Sequence, residues 1–127
     1  MLLVEDETPL RELYSELLED EHFVVTAISD GQEAQRRIQS EKFDMILLDI
    51  MLPHLNGFRI LESVKKNSKG RNFETPVLLL TNLAQENVIS QCMSIGACGF
   101  ILKSNYNPEE FIIAVRAFLQ KSHDEKK

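Results

Sequence analysis

The sequence predicts an α/β domain in which helices cover both faces of a parallel sheet. Short apolar runs alternate five times with amphipathic stretches along the 127 residues, and this alternation is typical of right-handed β–α–β crossovers. The run Met45–Leu48 is apolar throughout, as expected of a strand buried on both faces. With 43% hydrophobic residues the chain can bury the core of one domain. We expect that domain over 1–121 and a tail or linker start over 122–127.

Composition excludes several classes of protein. The formal net charge of -6 argues against direct binding of nucleic acid by this domain. No apolar run approaches the roughly 20 residues that span a bilayer, and the first residues lack the basic segment of a signal peptide. Cys92 and Cys98 are too few for a disulfide scaffold. We therefore expect a soluble cytoplasmic domain with reduced thiols and no membrane contact.

The first helix is predicted from its start signal and its apolar spacing. A first strand over Met1–Val4 precedes Thr8, which offers a capping hydroxyl, and Pro9, which suits the first helical position. The apolar residues then recur with a spacing that places them on one helix face: Leu10, Leu13, Tyr14, Leu17 and Leu18. This pattern predicts an amphipathic helix that ends near Asp20.

The remaining elements follow from similar signals. Apolar and β-branched runs predict four further strands: Phe23–Ala27, Phe43–Leu48, Pro76–Thr81 and Gly99–Lys103. Helical spacing and capping residues predict four further helices: Gln32–Ser40, one after Gly57, Ala84–Ala97, and one after Asn107-Pro108. The segment Asn67–Thr75 is polar and contains Gly70, so we expect a surface loop there.

Polar residues that follow the strands should meet at one edge of the sheet, because parallel strands all point the same way. These residues are Glu5 and Asp6, Asp49, Thr81 and Lys103. Carboxylates this close repel one another, and a hard divalent cation such as Mg²⁺ would relieve the repulsion. Asp49 would then act as a nucleophile toward phosphorus. The metal and Lys103 would offset the charge of the phosphoryl oxygens, and Thr81 would donate a hydrogen bond to one of them.

Two enzymatic or cofactor-binding alternatives fit the residues less well. A phosphatase of the haloacid dehalogenase class would need an acid two residues after the nucleophile, where this sequence has Met51. A flavodoxin-like cofactor binder would need a phosphate-binding loop after the first strand, and Glu5-Asp6 would repel a phosphate there.

The motifs resemble those of the receiver domain of two-component response regulators, along essentially the whole chain. The matching motifs are Leu3-Val4-Glu5-Asp6-Glu7, Asp30-Gly31-x-x-Ala34, Leu48-Asp49-x-x-Leu52-Pro53-x-x-x-Gly57, Leu80-Thr81, and Gly96-Ala97 leading to Phe100-x-x-Lys103. Each motif alone is a weak signal, but all of them in order, with strand-sized and helix-sized gaps, are specific. The resemblance implies a flavodoxin-like doubly wound (βα)5 fold with strand order 2-1-3-4-5.

The resemblance also implies roles for the site residues. Asp49 would accept a phosphoryl group from a histidine kinase or a phosphotransfer protein. Asp6 and Asp49 would bind Mg²⁺ directly, Glu5 would bind it through a water molecule, and the carbonyl of Met51 would complete the protein ligands. Such a domain is not a classical enzyme, although it would catalyse its own phosphotransfer and dephosphorylation.

Thr81 and Phe100 would form the switch pair of such a receiver. Phosphorylation would reshape the face of the fourth helix, fifth strand and fifth helix, through which homodimerisation is possible. A pseudo-receiver that works without phosphorylation is the alternative, but it would be expected to have lost an acid, Thr81 or Lys103. No output domain follows Lys121, so we expect either a single-domain regulator or the receiver of a longer protein.

Two positions depart from the usual pattern of the receiver family, and two apolar residues bear on the lifetime of a phosphoryl group. Ser104 stands after Lys103 where proline is common, and Asn82 stands where a small residue is usual. Met51 and Leu83 are apolar and cannot orient an attacking water molecule. We therefore expect altered phosphotransfer rates from Asn82 and slow loss of the phosphoryl group.

Overall fold

Five strands and five helices alternate in the computed structural model, which describes residues 1–52, 56–82, 86–103 and 107–125. The strands are β1 (Leu2–Val4), β2 (Thr26–Ile28), β3 (Ile46–Asp49), β4 (Val77–Thr81) and β5 (Gly99–Leu102). The helices are α1 (Thr8–Asp20), α2 (Gly31–Ser40), α3 (Gly57–Lys66), α4 (Glu86–Ile95) and α5 (Pro108–Glu125).

The sheet is parallel throughout, with the strand order β2-β1-β3-β4-β5. This arrangement confirms the predicted flavodoxin-like doubly wound fold. The chain runs outward from β1 to β2 and then returns to β3 on the other side of β1, so the winding reverses between β1 and β3. Ligands of open α/β sheets bind outside the carboxyl ends of the strands at this reversal.

Successive residues of a strand point to opposite faces of the sheet, so their side chains pack into two hydrophobic cores, one on each face. Leu48 packs into the core under α2, α3 and α4, whereas its neighbour Leu47 packs into the core under α1 and α5. In the second core the rings of Tyr14 and Phe111 stack with their centroids 4.4 Å apart. Both faces are therefore covered, as the apolar strands predict.

No helix in the described ranges combines the length and the apolar character that a membrane span requires.

Several predicted element limits are wrong because tertiary packing overrides local propensity. The strand predicted over Phe23–Ala27 is Thr26–Ile28, and Val24 is 86% exposed. Leu13 is 40% exposed, because α1 buries the stripe that contains Tyr14 and Leu18 against its neighbours.

Corrections at helix ends have local causes. Glu7, not Thr8, is the N-cap residue of α1. The fourth helix ends at Ile95 rather than Ala97, because Gly96 adopts a φ of 135°; its predicted start at Ala84 lies outside the described residues. The last helix continues through Glu125, past residue 121, while the domain limit itself stays a prediction.

The segment Asn67–Thr75 contains a buried polar network that the sequence did not predict. Asn72 and Thr75 are 2% and 1% exposed. The side-chain amide of Asn72 uses all its hydrogen-bonding positions. Its nitrogen donates to the carbonyls of Ile38 (2.6 Å) and Glu41 (2.7 Å). Its oxygen accepts from the backbone amide of Phe43 (2.8 Å) and from the hydroxyl of Thr75 (2.9 Å). The Thr75 hydroxyl also lies 2.9 Å from the carbonyl of Phe43, so its one hydrogen is shared between that carbonyl and the Asn72 oxygen. This Asn72 network ties the turn after α2 to the loop after α3, at the amino edge of the sheet.

Candidate functional site

A buried ion-pair cluster lies at the carboxyl edge of the sheet. Asp49 is the last residue of β3 and is 3% exposed, and Glu5, which follows β1, is fully buried. The Nζ of Lys103 lies 2.8 Å from Oδ2 of Asp49 and 2.5 Å from Oε1 of Glu5. One ammonium group therefore contacts two carboxylates that come from different strands.

The backbone of β5 positions Lys103 for this contact. Its amide donates to the carbonyl of Thr81 at 2.8 Å, which extends the ladder between β4 and β5 by one residue. From there the long side chain reaches across β4 to the ends of β3 and β1, and 3% of it is exposed. Thr81 ends β4 and is 5% exposed, so its hydroxyl belongs to the same edge.

The turn after β3 wraps closely around Asp49. The amide of Met51 donates to Oδ1 of Asp49 at 2.9 Å, which fixes the second carboxylate oxygen. The amide of Gly57, at the start of α3, donates to the carbonyl of Ile50 at 2.8 Å. A Cβ at Gly57 would lie 2.2 Å from the carbonyl oxygen of Asp49, so this close approach requires glycine.

The acidic turn after β1 brings further carboxylate oxygens to the cluster. Glu5, Asp6 and Asp49 each offer one oxygen, and these oxygens lie within 4.8 Å of one another. Asp6 is exposed, and Oε2 of Glu5 accepts the amide of Glu7 at 3.2 Å. The buried Oε1 of Glu5 contacts the Lys103 ammonium. Oxygen donors that converge in this way fit a hard divalent cation such as Mg²⁺.

Burial and mutual repulsion shift the pKa values of the cluster. Burial and, after it, the neighbouring Asp49 carboxylate raise the pKa of Glu5 to about 7, although Lys103 acts to lower it. Burial alone would lower the pKa of Lys103, but its hydrogen bonds to Asp49 and Glu5 outweigh this and raise that pKa. Lys103 is therefore charged, while Glu5 titrates near neutral pH.

The structure brings the predicted acids, Thr81 and Lys103 to one edge, but the predicted roles of these residues remain hypotheses. Phe100 lies in β5, opposite Leu79 of β4, and is 38% exposed. The predictions for Leu83 and Ser104 fall outside the described residues. Asn82 is described and is exposed.

Arg11 is a site residue that the sequence reading missed. Its guanidinium donates to the carbonyl of Glu5 at 2.9 Å and to the carbonyl of Asp6 at 3.2 Å. The available signal was an arginine in the first turns of a helix, where the dipole favours acidic side chains instead.

A parallel sheet of this order with an acidic, lysine-bearing carboxyl edge defines the class of receiver folds. The family model for the response regulator receiver domain matches residues 1–116. The chain therefore belongs to the response regulator receiver domain family of two-component systems.

Two relatives illustrate the extent of the sequence similarity. The chain is 33% identical to protein RcaC of Microchaete diplosiphon over 123 residues, which cover 95% of this chain and 18% of RcaC. It is 30% identical to the transcriptional regulatory protein SrrA of Staphylococcus aureus over 122 residues, which cover 96% of this chain and 48% of SrrA. The chain thus spans less than half the length of these relatives.

Solved structures show the same fold. The chemotaxis response regulator CheY4 of Vibrio cholerae is similar with a TM-score of 0.83 and 29% identity, covering 92% of this chain and 95% of CheY4. A CheY-like receiver domain protein of Methanospirillum hungatei gives a TM-score of 0.86 at 25% identity, covering 98% of this chain and 95% of that protein.

Proposed function

We propose that Asp49 accepts a phosphoryl group from a phosphohistidine on a histidine kinase or phosphotransfer protein, in a reaction that depends on Mg²⁺. One observation carries the proposal: the buried Asp49 carboxylate contacts Lys103 at 2.8 Å and lies among two further carboxylates at the carboxyl edge. Groups whose pKa values are shifted by burial and by a charged partner cluster at functional sites, and Glu5 beside Asp49 and Lys103 is such a group. The donor proteins, and a cytoplasmic location, belong to this proposal.

The contacts of Asp49 suit it to act as a nucleophile. Met51 fixes one carboxylate oxygen through its amide and Lys103 fixes the other, so the carboxylate has a single orientation. Each oxygen keeps a lone pair beyond the hydrogen bond that it accepts. One such lone pair would form the new P–O bond as the P–N bond of the phosphohistidine breaks, and the imidazole nitrogen would keep the electron pair of that bond. Lys103 would offset the charge of the phosphoryl oxygens in transit.

The acidic turn and the turn after β3 would hold the cation. Asp6 and Asp49 would bind it directly, Glu5 through a water molecule, and Met51 through its carbonyl. Bound Mg²⁺ supplies positive charge that offsets the phosphoryl oxygens. Because Glu5 has a pKa of about 7, this carboxylate would lose its proton when the cation binds near neutral pH.

The output would be a change in the α4-β5-α5 face. The Thr81 hydroxyl, buried beside Asp49 at the end of β4, would donate a hydrogen bond to the phosphoryl group. Phe100, which is 38% exposed, would turn inward into the space that Thr81 leaves. The altered face would then bind a partner, an output domain or a second copy of the chain. A pseudo-receiver is not favoured, because Asp49, Thr81 and Lys103 are all present.

Incubation with acetyl phosphate and Mg²⁺, followed by intact mass spectrometry, tests the proposal. We expect the wild type to gain one phosphoryl group and Asp49→Asn to gain none. Asp20→Asn, at an exposed position at the end of α1, is the matched control and should be phosphorylated like the wild type. Phosphorylation of Asp49→Asn would contradict the proposed site, and absence of phosphorylation in the wild type would contradict the function.

A further inference from the structure

Arg11 connects the acidic turn to the first helix. Its Nη1 donates to the carbonyls of Glu5 and Asp6, at 2.9 and 3.2 Å, and its Nη2 lies 3.3 Å from the Thr8 hydroxyl. The side chain is half-buried. A planar guanidinium can donate to several acceptors in a fixed geometry, so it restrains two successive peptide units at once.

The other restraints on this turn act on Glu5 rather than on Asp6: its carboxylate accepts the amide of Glu7 at 3.2 Å and contacts the Lys103 ammonium. Glu7 is the N-cap residue of α1, and its side chain makes no capping hydrogen bond within the described residues. The amide of Glu5 bonds to the carbonyl of Ile28, which fixes the start of the turn but not Asp6. The carbonyl of Asp6 is held by Arg11 at 3.2 Å. The guanidinium therefore restrains the Asp6 peptide through its carbonyl, which no side-chain cap at the start of α1 does within the described residues.

The bonds of Arg11 go to backbone oxygens, and this matters for a cation site. An arginine that paired with the carboxylates would compete with the metal for the same oxygens. Arg11 instead lies on the backbone side of the turn, where it leaves the carboxylate oxygens of Glu5 and Asp6 directed toward Asp49.

We propose that Arg11 is a positioning residue that holds the Glu5–Asp6 backbone so that both carboxylates face the cation before it binds. This inference rests on the proposed function, since it assigns Arg11 to the same Mg²⁺ site. Loss of a group that orients metal ligands lowers metal affinity by about 10-fold to 100-fold. We expect a loss near the lower end of that range, because the ligands themselves are retained.

Titration calorimetry with Mg²⁺, combined with amide hydrogen exchange in metal-free protein, tests the inference. Arg11→Ala should bind Mg²⁺ about tenfold more weakly than the wild type and should exchange the Glu7 amide faster. Arg11→Lys keeps the charge but not the planar fork, so its affinity should fall between the two. Arg71→Ala removes the same charge from an exposed position at the amino edge and should match the wild type in both measurements.

Each outcome distinguishes this inference from the function on which it rests. Unchanged Mg²⁺ affinity in Arg11→Ala, beside a wild type that binds the metal, would overturn the role of Arg11 alone. An equal loss in Arg71→Ala would show a general charge effect and would overturn it too. Failure of the wild type to bind Mg²⁺ would overturn the proposed function and this inference together. If Arg11→Ala does not fold, the comparison of Arg11→Lys with Arg71→Ala decides in the same way.

Discussion

Two buried polar clusters lie at opposite edges of the sheet, and they differ in charge and in hydrogen bonding. At the amino edge, the neutral side chains of Asn72 and Thr75 bond to each other and to backbone groups. At the carboxyl edge, Glu5 and Asp49 place two buried carboxylates beside the one ammonium of Lys103. The first cluster satisfies every polar position of the Asn72 amide, whereas in the second two buried carboxylates share a single ammonium group.

This difference separates a structural role from a functional one. A fully bonded neutral network in a dry environment contributes stability and fixes one arrangement of the chain. The burial of an ionised Glu5 beside the Asp49 carboxylate lowers stability, as the raised pKa of Glu5 indicates. A fold tolerates such a cluster where a ligand relieves the repulsion. Substitutions should therefore act mainly on stability at the amino edge, and on ligand binding and chemistry at the carboxyl edge.

The largest effect on stability is expected from Asn72→Ala. The change would leave the amide of Phe43 and the carbonyls of Ile38 and Glu41 buried without their partner. We expect a loss of about 3–5 kcal/mol in the free energy of unfolding, measured by urea denaturation. Asn87→Ala, at an exposed position on α4, is the control and should change it by less than about 0.5 kcal/mol. Similar losses in the two variants would contradict the role of the Asn72 network.

Gly57→Ala should have the next largest effect, because it forces α3 away from the end of β3. The new Cβ would overlap the backbone of Asp49 and Ile50, which cannot move without displacing the site. We expect a loss of about 2 kcal/mol in stability and slower phosphorylation of Asp49. At Gly70 the nearest atom to a new Cβ is the end of the flexible Asn67 side chain. Gly70→Ala should therefore be milder in both assays, and equal effects would contradict the account.

Glu5 should give the stability a pH dependence opposite to that of an ordinary carboxylate. Its pKa is 4.5 in the unfolded reference and about 7 in the folded protein, so the folded state holds the proton more tightly. Its contribution is therefore most favourable below pH 4.5 and is lost as the pH rises to about 7. From about pH 6 to about pH 7, we expect the stability of metal-free wild type to fall by about 1 kcal/mol relative to Glu5→Gln. A difference that does not vary with pH in urea denaturation would contradict the raised pKa.

The smallest effect is expected at Met51, where the change should alter a rate and leave stability unchanged. The side chain is 69% exposed, so its replacement removes little packing. We expect Met51→Asn to lose the phosphoryl group a few-fold faster, because an amide can orient the attacking water molecule. Met93→Asn, at a 41% exposed position on α4, is the control. Equal lifetimes in wild type and Met51→Asn, followed by intact mass, would contradict this role.

The carboxyl edge was more predictable from the sequence than the amino edge. Parallel strands bring their following residues together, so the order of Glu5, Asp49 and Lys103 along the chain was sufficient to group them. Asn72 occurs in a polar segment with the composition of a surface loop, and its burial depends on a turn about 30 residues earlier in the chain. A pattern of neighbouring residues in the sequence cannot indicate a contact over this separation. The role of Arg11 could not be predicted for a related reason: its partners are backbone carbonyls, which every residue has.

The start and end of β2 are a further feature that the sequence did not predict correctly. Phe23 and Val24 have strand-forming side chains, yet β2 begins only at Thr26. Phe23 instead lies under the guanidinium of Arg116, 5.3 Å from its ring centroid, and Arg116 also pairs with Glu21 at 2.8 Å. These contacts pack Phe23 against α5, while the carbonyl of Val24 accepts the amino group of Met1 at 3.1 Å.

The most direct test of the account is the stability of the protein as a function of Mg²⁺ concentration. If the carboxyl edge is a charged cluster built for a cation, Mg²⁺ should raise the free energy of unfolding of the wild type. The increase should reach about 2.7 kcal/mol at roughly 100 times the dissociation constant. Asp49→Asn should be no less stable than the wild type without Mg²⁺ and should gain little when it is added. Equal stabilisation of both proteins, or none of the wild type, would contradict the account.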